Sequence, residues 1–252
     1  MQRTEIQYLS HTWNPVAMRC KPISAGCARC WHLPFARRHA ANPTFRDEAR
    51  RAYAGGRPWL NHGELEAPLR VRKPARIGVQ FMGDMFADHI HIYMVKAVWE
   101  VMEACPRHVF IVLTKRAKRM RDILSMMRPP FKTLPNVWLG VSAEDQDAAE
   151  LRVPDLLGTP AAHRWVSVEP MLGPVDMKCW LEAELRAFGG NGVNLFPSLD
   201  WVVCGAETGH RARPMAVEWA MRLIGQCSIA GVPCFGKVRS DGAPLYPREI
   251  PQ

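Results

Sequence analysis

Val137-Trp138-Leu139-Gly140-Val141-Ser142-Ala143-Glu144 is an apolar run ending in a polar tip, and residues 145–157 behind it carry a helical period that Pro154 interrupts. The same unit recurs on both sides. Upstream, residues 76–82 lead to Gly83-Asp84, and residues 108–113 lead to Thr114-Lys115-Arg116. Downstream, Arg164-Trp165-Val166-Ser167-Val168 leads to Glu169-Pro170, residues 199–204 lead to Gly205-Ala206-Glu207-Thr208-Gly209, and residues 232–236 lead to Lys237. Each apolar part is short and rich in β-branched or aromatic residues, which suits strands buried on both faces of a parallel sheet. Between them lie helical periods. Ile90, Tyr93, Met94, Ala97, Val98, Val101 and Met102 make one stripe, residues 116–127 a second, and Trp219, Leu223, Ile224 and Cys227 a third that stops at Gly231.

Strand and helix in alternation, with short connections, predict βαβ units with right-handed crossovers. A first strand is expected within residues 6–13 and a helix over residues 33–53. The Gly/Pro-rich basic stretch 54–73, the stretch 188–198 and the tail 239–252 read as loops. The fold class is therefore α/β: a partial (β/α) TIM-like barrel of six or seven parallel strands, in one domain spanning residues 1–252. A flat doubly wound sheet is the competing arrangement.

The 252 residues are 48% hydrophobic and 23% charged, which excludes a disordered chain. No apolar run approaches the ~18 residues of a membrane span, and no apolar stretch at the start resembles a secretion signal. A cytoplasmic location without membrane contact is expected. Lys and Arg number 33 against 24 Asp and Glu, a net charge of +9. Such a field attracts polyanions, and it also suits solvated helix faces. Eight cysteines would allow a disulfide framework, but the length and composition favour reduced thiols. Cys105, Cys179, Cys204, Cys227 and Cys234 are scattered and read as core fillers.

Cys20, Cys27 and Cys30 differ. They form a C-x6-C-x2-C pattern in a Pro/Gly-bearing loop, residues 14–31, just after the first expected strand. Three convergent thiolates suit a 4Fe–4S cluster that keeps one iron open. With His32 or His39 as a fourth ligand they would suit tetrahedral zinc. Arg19, Lys21 and Arg29 would stabilise the thiolates. Trp13 and Trp31 flank the loop and are expected to wall the metal from water. In parallel α/β folds the chemistry collects at the carboxyl ends of the strands. The tips place Lys115, Glu169, Glu207 and Lys237 there as catalytic candidates. One such group is an ordinary helix cap; six charged tips together suggest a ligand pocket. The remaining tryptophans fall in apolar runs and read as core.

The cysteine loop joins Thr12-Trp13-Asn14-Pro15, Leu113-Thr114-Lys115-Arg116, Asn136-Val137-Trp138-Leu139-Gly140-Val141-Ser142, residues 166–175 (Val-Ser-Val-Glu-Pro-Met-Leu-Gly-Pro-Val) and Ala212-Arg213-Pro214-Met215. Together these resemble a phage and bacterial family of unknown function. Its members carry a three-cysteine motif and look like diverged radical S-adenosylmethionine (SAM) proteins, and some are encoded near a three-Cys-motif partner protein. The resemblance covers residues 12–237. It implies a partial TIM barrel whose three cysteines hold three irons, with the fourth iron chelating SAM for reductive cleavage. It also implies that Gly83 and Asp84 approach the SAM amino group, while Ser142, Glu144, Ser167 and Glu169 reach its ribose or carboxylate. The radical SAM pattern C-x3-C-x2-C has an aromatic before the last cysteine. Here the first gap is six, Arg29 precedes Cys30, and Trp31 follows it.

Three functions are open from the residues. The first is a radical-SAM-like enzyme acting on a nucleic acid or nucleotide. The second is a zinc-bearing nucleic-acid-binding module without redox chemistry. The third is a metal-free hydrolase or lyase using Lys115, Glu169 and Glu207, which leaves the cysteines unexplained and lacks a nucleophile elbow or phosphate loop.

Overall fold

The computed structural model describes residues 1–127, 133–181, 198–209 and 211–251. Among the described residues ten strands and eight α-helices follow in chain order. They are β1 (Gln2–Arg3), β2 (His11–Trp13), β3 (Val16–Ala17), α1 (His32–Ala41), α2 (Asp47–Ala54), β4 (Trp59–Leu60), α3 (His62–Leu65), β5 (Arg76–Val79), α4 (Ile92–Glu103) and β6 (Val109–Thr114). Then come α5 (Ala117–Met126), β7 (Val137–Ser142), α6 (Gln146–Leu157), β8 (His163–Val168), α7 (Lys178–Leu181), β9 (Trp201–Cys204), α8 (Val217–Ile229) and β10 (Cys234–Gly236).

The main sheet has the order β1-β2-β5-β6-β7-β8-β9-β10. Seven strands, β2 and β5 to β10, run parallel, and β1 adds antiparallel to the outer edge of β2. The parallel strands lie in chain order with no reversal. A doubly wound sheet needs a point where the order turns back, so that alternative is excluded. Helices cover one face. There Ile77, Val79, Val112, Leu139, Val141, Val166, Val168 and Val202 join the apolar sides of α4, α5, α6 and α8 in one core. The alternate residues fill the other face: Ile111, Trp138, Trp165, Trp201, Val203 and Phe235, with Tyr8 and Leu9 from before β2. Both faces are thus buried, which is why the runs read as continuous rather than alternating.

The second face is packed large against small. The Trp165 indole lies over Gly140 of the neighbouring strand, where a Cβ would stand 2.3 Å from Nε1. Its N–H donates to the Val112 carbonyl at 3.1 Å. Tyr8 meets Trp201 at 5.2 Å and Phe235 at 5.6 Å between ring centroids, edge to face. The segment before the first parallel strand therefore packs on the last two.

Both outer edges are occupied. The chain end folds back on β10, where Pro247 accepts from the Gly236 N–H at 2.8 Å and the Glu249 N–H donates to the Cys234 carbonyl at 3.0 Å. Leu245 is buried beneath it. The expected loose tail is thus an edge cover, of the kind that keeps unpaired strand groups from meeting another chain.

Four other expectations change. Residues 33–53 form two helices, because Pro43 keeps Asn42 extended and the Asn42 carboxamide accepts the Thr44 N–H at 3.0 Å. Residues 54–73 contain β4 and α3, and β4 pairs antiparallel with β3. The first parallel strand is only three residues long. Pro154 sits inside α6 without ending it. Residues 188–197 of the second expected loop lie outside the described residues. Among the described residues no helix is long and apolar enough to cross a membrane.

Candidate functional site

The cysteine loop leaves the carboxyl end of β2 and enters α1. Its first part is hooked to the segment after β5. The Gln80 carboxamide accepts the Val16 N–H at 3.1 Å and donates to the Val16 carbonyl at 2.8 Å. The Asn14 side chain accepts the Met82 N–H at 2.8 Å. Gly83 has a φ of +142°, and a Cβ there would stand 2.6 Å from Met18 Sδ. A side chain is excluded at Gly83 on both counts.

Three carboxylates from the strand tips then hold the loop. Asp84 accepts from the Thr114 hydroxyl at 2.7 Å and the Phe86 N–H at 2.9 Å, and pairs with Arg116 at 2.9 Å. Arg116 in turn donates to the Lys21 carbonyl at 3.0 Å and lies 4.0 Å from Cys20 Sγ. Glu144, 1% exposed, pairs with Arg152 at 2.8 Å and accepts the Gly26 N–H at 3.4 Å. The Ser24 hydroxyl also donates to it. A Cβ at Gly26 would lie 3.1 Å from the Glu144 carboxyl carbon, so the glycine permits this approach. Glu207 is gripped by Arg213 at 2.5 and 2.9 Å, and Arg29 stands 3.7 Å away. The Arg29 guanidinium also meets the Arg211 carbonyl. The loop is pinned near Cys20, before Cys27 and beside Cys30.

The electrostatics follow from burial and these pairs. Burial pushes the Glu144 carboxyl up, but hydrogen bonds from Arg152 and Ser24, then the Arg152 and Lys115 charges, outweigh it and hold it down to about 2. Burial and then the Asp84 charge push the Cys20 thiol up to about 11, against the pull of Arg116. Burial also raises Cys30. The Cys27 charge adds to the rise of both. The three cysteines of the loop are free and half-buried. Among the described residues no three His, Cys, Asp or Glu side chains are gathered closely enough to hold a metal ion as they stand.

The donor set was tested against the two groups that three thiols suggest. A closed tetrahedral zinc site needs a fourth ligand. His32 is buried, and its Nε2 accepts the Cys20 N–H at 3.3 Å. Burial, with the His39 charge, lowers its pKa to about 4 and keeps it neutral. His39 packs on Phe45 at 4.7 Å and Tyr53 at 4.9 Å. Each histidine keeps a buried Nδ1 without a hydrogen-bond partner among the described residues, so His32 and His39 stay open as fourth donors. Three thiolates and one open iron are the donor pattern of a 4Fe–4S cluster, and the loop carries three thiols that are not gathered at ligand spacing as they stand.

The other rim residues divide. Ser142 and Ser167 are buried and face each other in register on β7 and β8. Glu169 and Lys237 pair at 2.6 Å, half-exposed, above the buried Tyr8 ring. Lys115 makes no ion pair among the described residues, and its charge reaches both Glu144 and Cys30. Asp84 and Glu144 are turned to internal partners rather than to an open pocket. Trp31 is 51% exposed, and Trp13 is wholly buried with its N–H on the Glu64 carbonyl at 2.8 Å. The expected pair of tryptophan walls is therefore not formed. Sequence reasoning missed Arg152, Arg116, Gln80 and Asn14 as holders of the loop. One signal was available: Arg152 sits in the apolar register of α6, between Ala149 and Leu156.

A profile of the family described as "Protein of unknown function (DUF5131)" matches residues 3–242. No curated protein and no solved structure matches the chain.

Proposed function

The chain belongs to the DUF5131 family of proteins of unknown function, and from that premise we propose that it is a radical-SAM-like iron–sulfur protein acting on a nucleic acid or nucleotide. The observation that carries this reading is the cysteine loop: three free, half-buried thiols at the carboxyl rim of a parallel sheet, pinned by three strand-tip carboxylates. The one-directional strand order, and Tyr8 packed on β9 and β10, support a curled partial barrel. The covered edges account for its staying open.

In this reading Cys20, Cys27 and Cys30 are the ligands. A bound 4Fe–4S cluster supplies one electron at low potential and an open iron for the amino and carboxylate groups of SAM. The chain supplies the rest. Arg116 and Lys115 offset the negative charge of the thiolates. Asp84 and Glu144, which the resemblance would place against SAM, act here as positioning residues for the ligand loop. Gly83, Ser142, Ser167 and the Glu169–Lys237 pair are the rim groups left for a cofactor or substrate. Of these, only the ion pair carries charge, and it can exchange a proton with a bound polar group at Glu169 Oε2 or Lys237 Nζ. Glu207 serves as a clamp on Arg29. A three-Cys-motif partner protein remains part of the proposal.

The test is anaerobic reconstitution with iron and sulfide. The expected product is brown with broad visible absorption, and Cys27→Ala abolishes the colour. A colourless protein with stoichiometric zinc, or a chromophore that survives Cys27→Ala, overturns the proposal. Release of 5′-deoxyadenosine from SAM by the reduced protein supports the second half. A reconstituted, reduced protein that releases none removes SAM cleavage from it.

A further inference from the structure

We infer that the outer face of α1 is a stacking ledge for single-stranded nucleic acid, leading to the cysteine loop. Helix α1 turns His32 and Ala36 inward, and Ala36 packs on Ala49, Ala52 and Tyr53. One flank, starting at the N-cap, carries Trp31, Phe35 and Arg38, spaced i, i+4 and i+7 and therefore in one line. Trp31 is 51% exposed and Phe35 39%. Their rings meet edge to face at 5.7 Å, and the Arg38 guanidinium lies over Phe35 at 4.2 Å. A core-building helix would not leave two large rings and a planar cation in water. Flat π faces beside a guanidinium are what an unpaired base stacks on.

Charge identifies the occupant as a polyanion. Residues 29–57 hold seven arginines against one aspartate and one glutamate, more than half of the chain's net +9. Arg37, Arg38, Arg46, Arg51 and Arg57 are exposed and make no ion pair among the described residues. Aromatics interleaved with arginines track a single strand through backbone charge and base stacking together. A membrane-lying helix would instead show a broad aliphatic face, and α1 has none. Trp31 follows Cys30 directly, so a strand lying on the ledge ends at the thiols. The assignment deepens the nucleic-acid part of the proposed function and is independent of the metal.

The test uses the full-length, metal-free protein with a fluorescently labelled oligothymidylate, read by anisotropy over a salt series. Micromolar or tighter binding with quenching of tryptophan fluorescence is expected. Trp31→Ala and Phe35→Ala should each weaken it by about tenfold without changing the salt slope. Arg37→Ser with Arg38→Ser should lower the slope by about 1.4, two phosphate contacts at ~0.7 each on a single strand. All four side chains are exposed, so far-UV circular dichroism should be unchanged. Binding indifferent to both aromatic variants overturns the inference. So does tighter binding to a duplex or to anionic phosphatidylserine vesicles than to the oligonucleotide. Cys27→Ala should lose the metal and keep oligonucleotide binding, which separates failure of the ledge from failure of the cluster.

Discussion

Glu144→Gln is expected to destabilise the fold by about 3–5 kcal/mol, because it leaves the buried Arg152 guanidinium without its counter-charge. Arg152 is 5% exposed, and among the described residues its hydrogen bonds go to Glu144 and the Ser142 carbonyl, at 2.8 and 2.6 Å. The amide keeps the shape of the carboxylate, so the loss reports charge rather than packing. Urea unfolding measures it. The same variant should loosen the cysteine loop, since Glu144 is what the Ser24 hydroxyl and the Gly26 N–H point at. Faster reaction of Cys27 with a thiol reagent under native conditions is the local readout. A stability within ~0.5 kcal/mol of wild type, which is the range of an ordinary surface substitution, with unchanged thiol reactivity, would show that Glu144 does not hold the loop.

The pH dependence has a defined sign. The Glu144 carboxyl is held at about 2 in the fold, below its ordinary value of 4.5. A depressed carboxylate contributes stability that is fully present above the unfolded pKa and is lost as pH falls through the folded one. Wild type should therefore lose stability between about pH 4.5 and 2, and Glu144→Gln should show a shallower acid limb across that window.

Trp165→Ala should cost about 3–5 kcal/mol, the range for emptying a large aromatic from a core. Trp165 is fully buried, stands 5.2 Å from Trp201 and 6.2 Å from Tyr8, and donates to the Val112 carbonyl. It sits where the first segment meets the last strands, so its loss loosens that contact. Gly140 supplies a specific check. Gly140→Ala alone should cost about 1–3 kcal/mol by overpacking, because its Cβ would fall 2.3 Å from the indole nitrogen. In the Trp165→Ala background that clash is gone and the added methyl enters a cavity, so the alanine should become neutral or stabilising. A double-mutant cycle additive to within ~0.5 kcal/mol would contradict this account.

Much of the architecture is legible along the chain because burial on both faces writes each strand as an unbroken apolar run. Val137 to Val141 is the clearest case, and Asp145 marks the following helix by capping Ala148 N at 2.9 Å. Residues 33–53 misled because an apolar period continues across Asn42-Pro43, although the proline forbids a continuous helix there. The short elements between residues 54 and 73 are held by distant partners. Leu60 pairs with Val16, and the Glu64 carbonyl takes the Trp13 indole, so no local pattern announces them.

The rim was legible in composition and misleading in role. Asp84, Glu144 and Glu207 stand at strand tips as expected, and a carboxylate at a tip looks the same whether it meets a ligand or an arginine. Their partners Arg116 and Arg152 come from the next tip and from two turns along a helix.

By itself the amino-acid sequence determined the repeated strand-tip-helix order, the one-sided polar ends and the three-thiol loop, because periodicity and spacing are local properties of a chain. Only the tertiary structure decided that the strands advance in one direction, that the chain end folds back on β10, and that the buried carboxylates grip the loop rather than open onto a pocket. Those outcomes depend on which groups meet across 32 to 182 residues of chain, as Asp84 with Arg116 and the Arg29 guanidinium with the Arg211 carbonyl do. Contact at that range is set by packing.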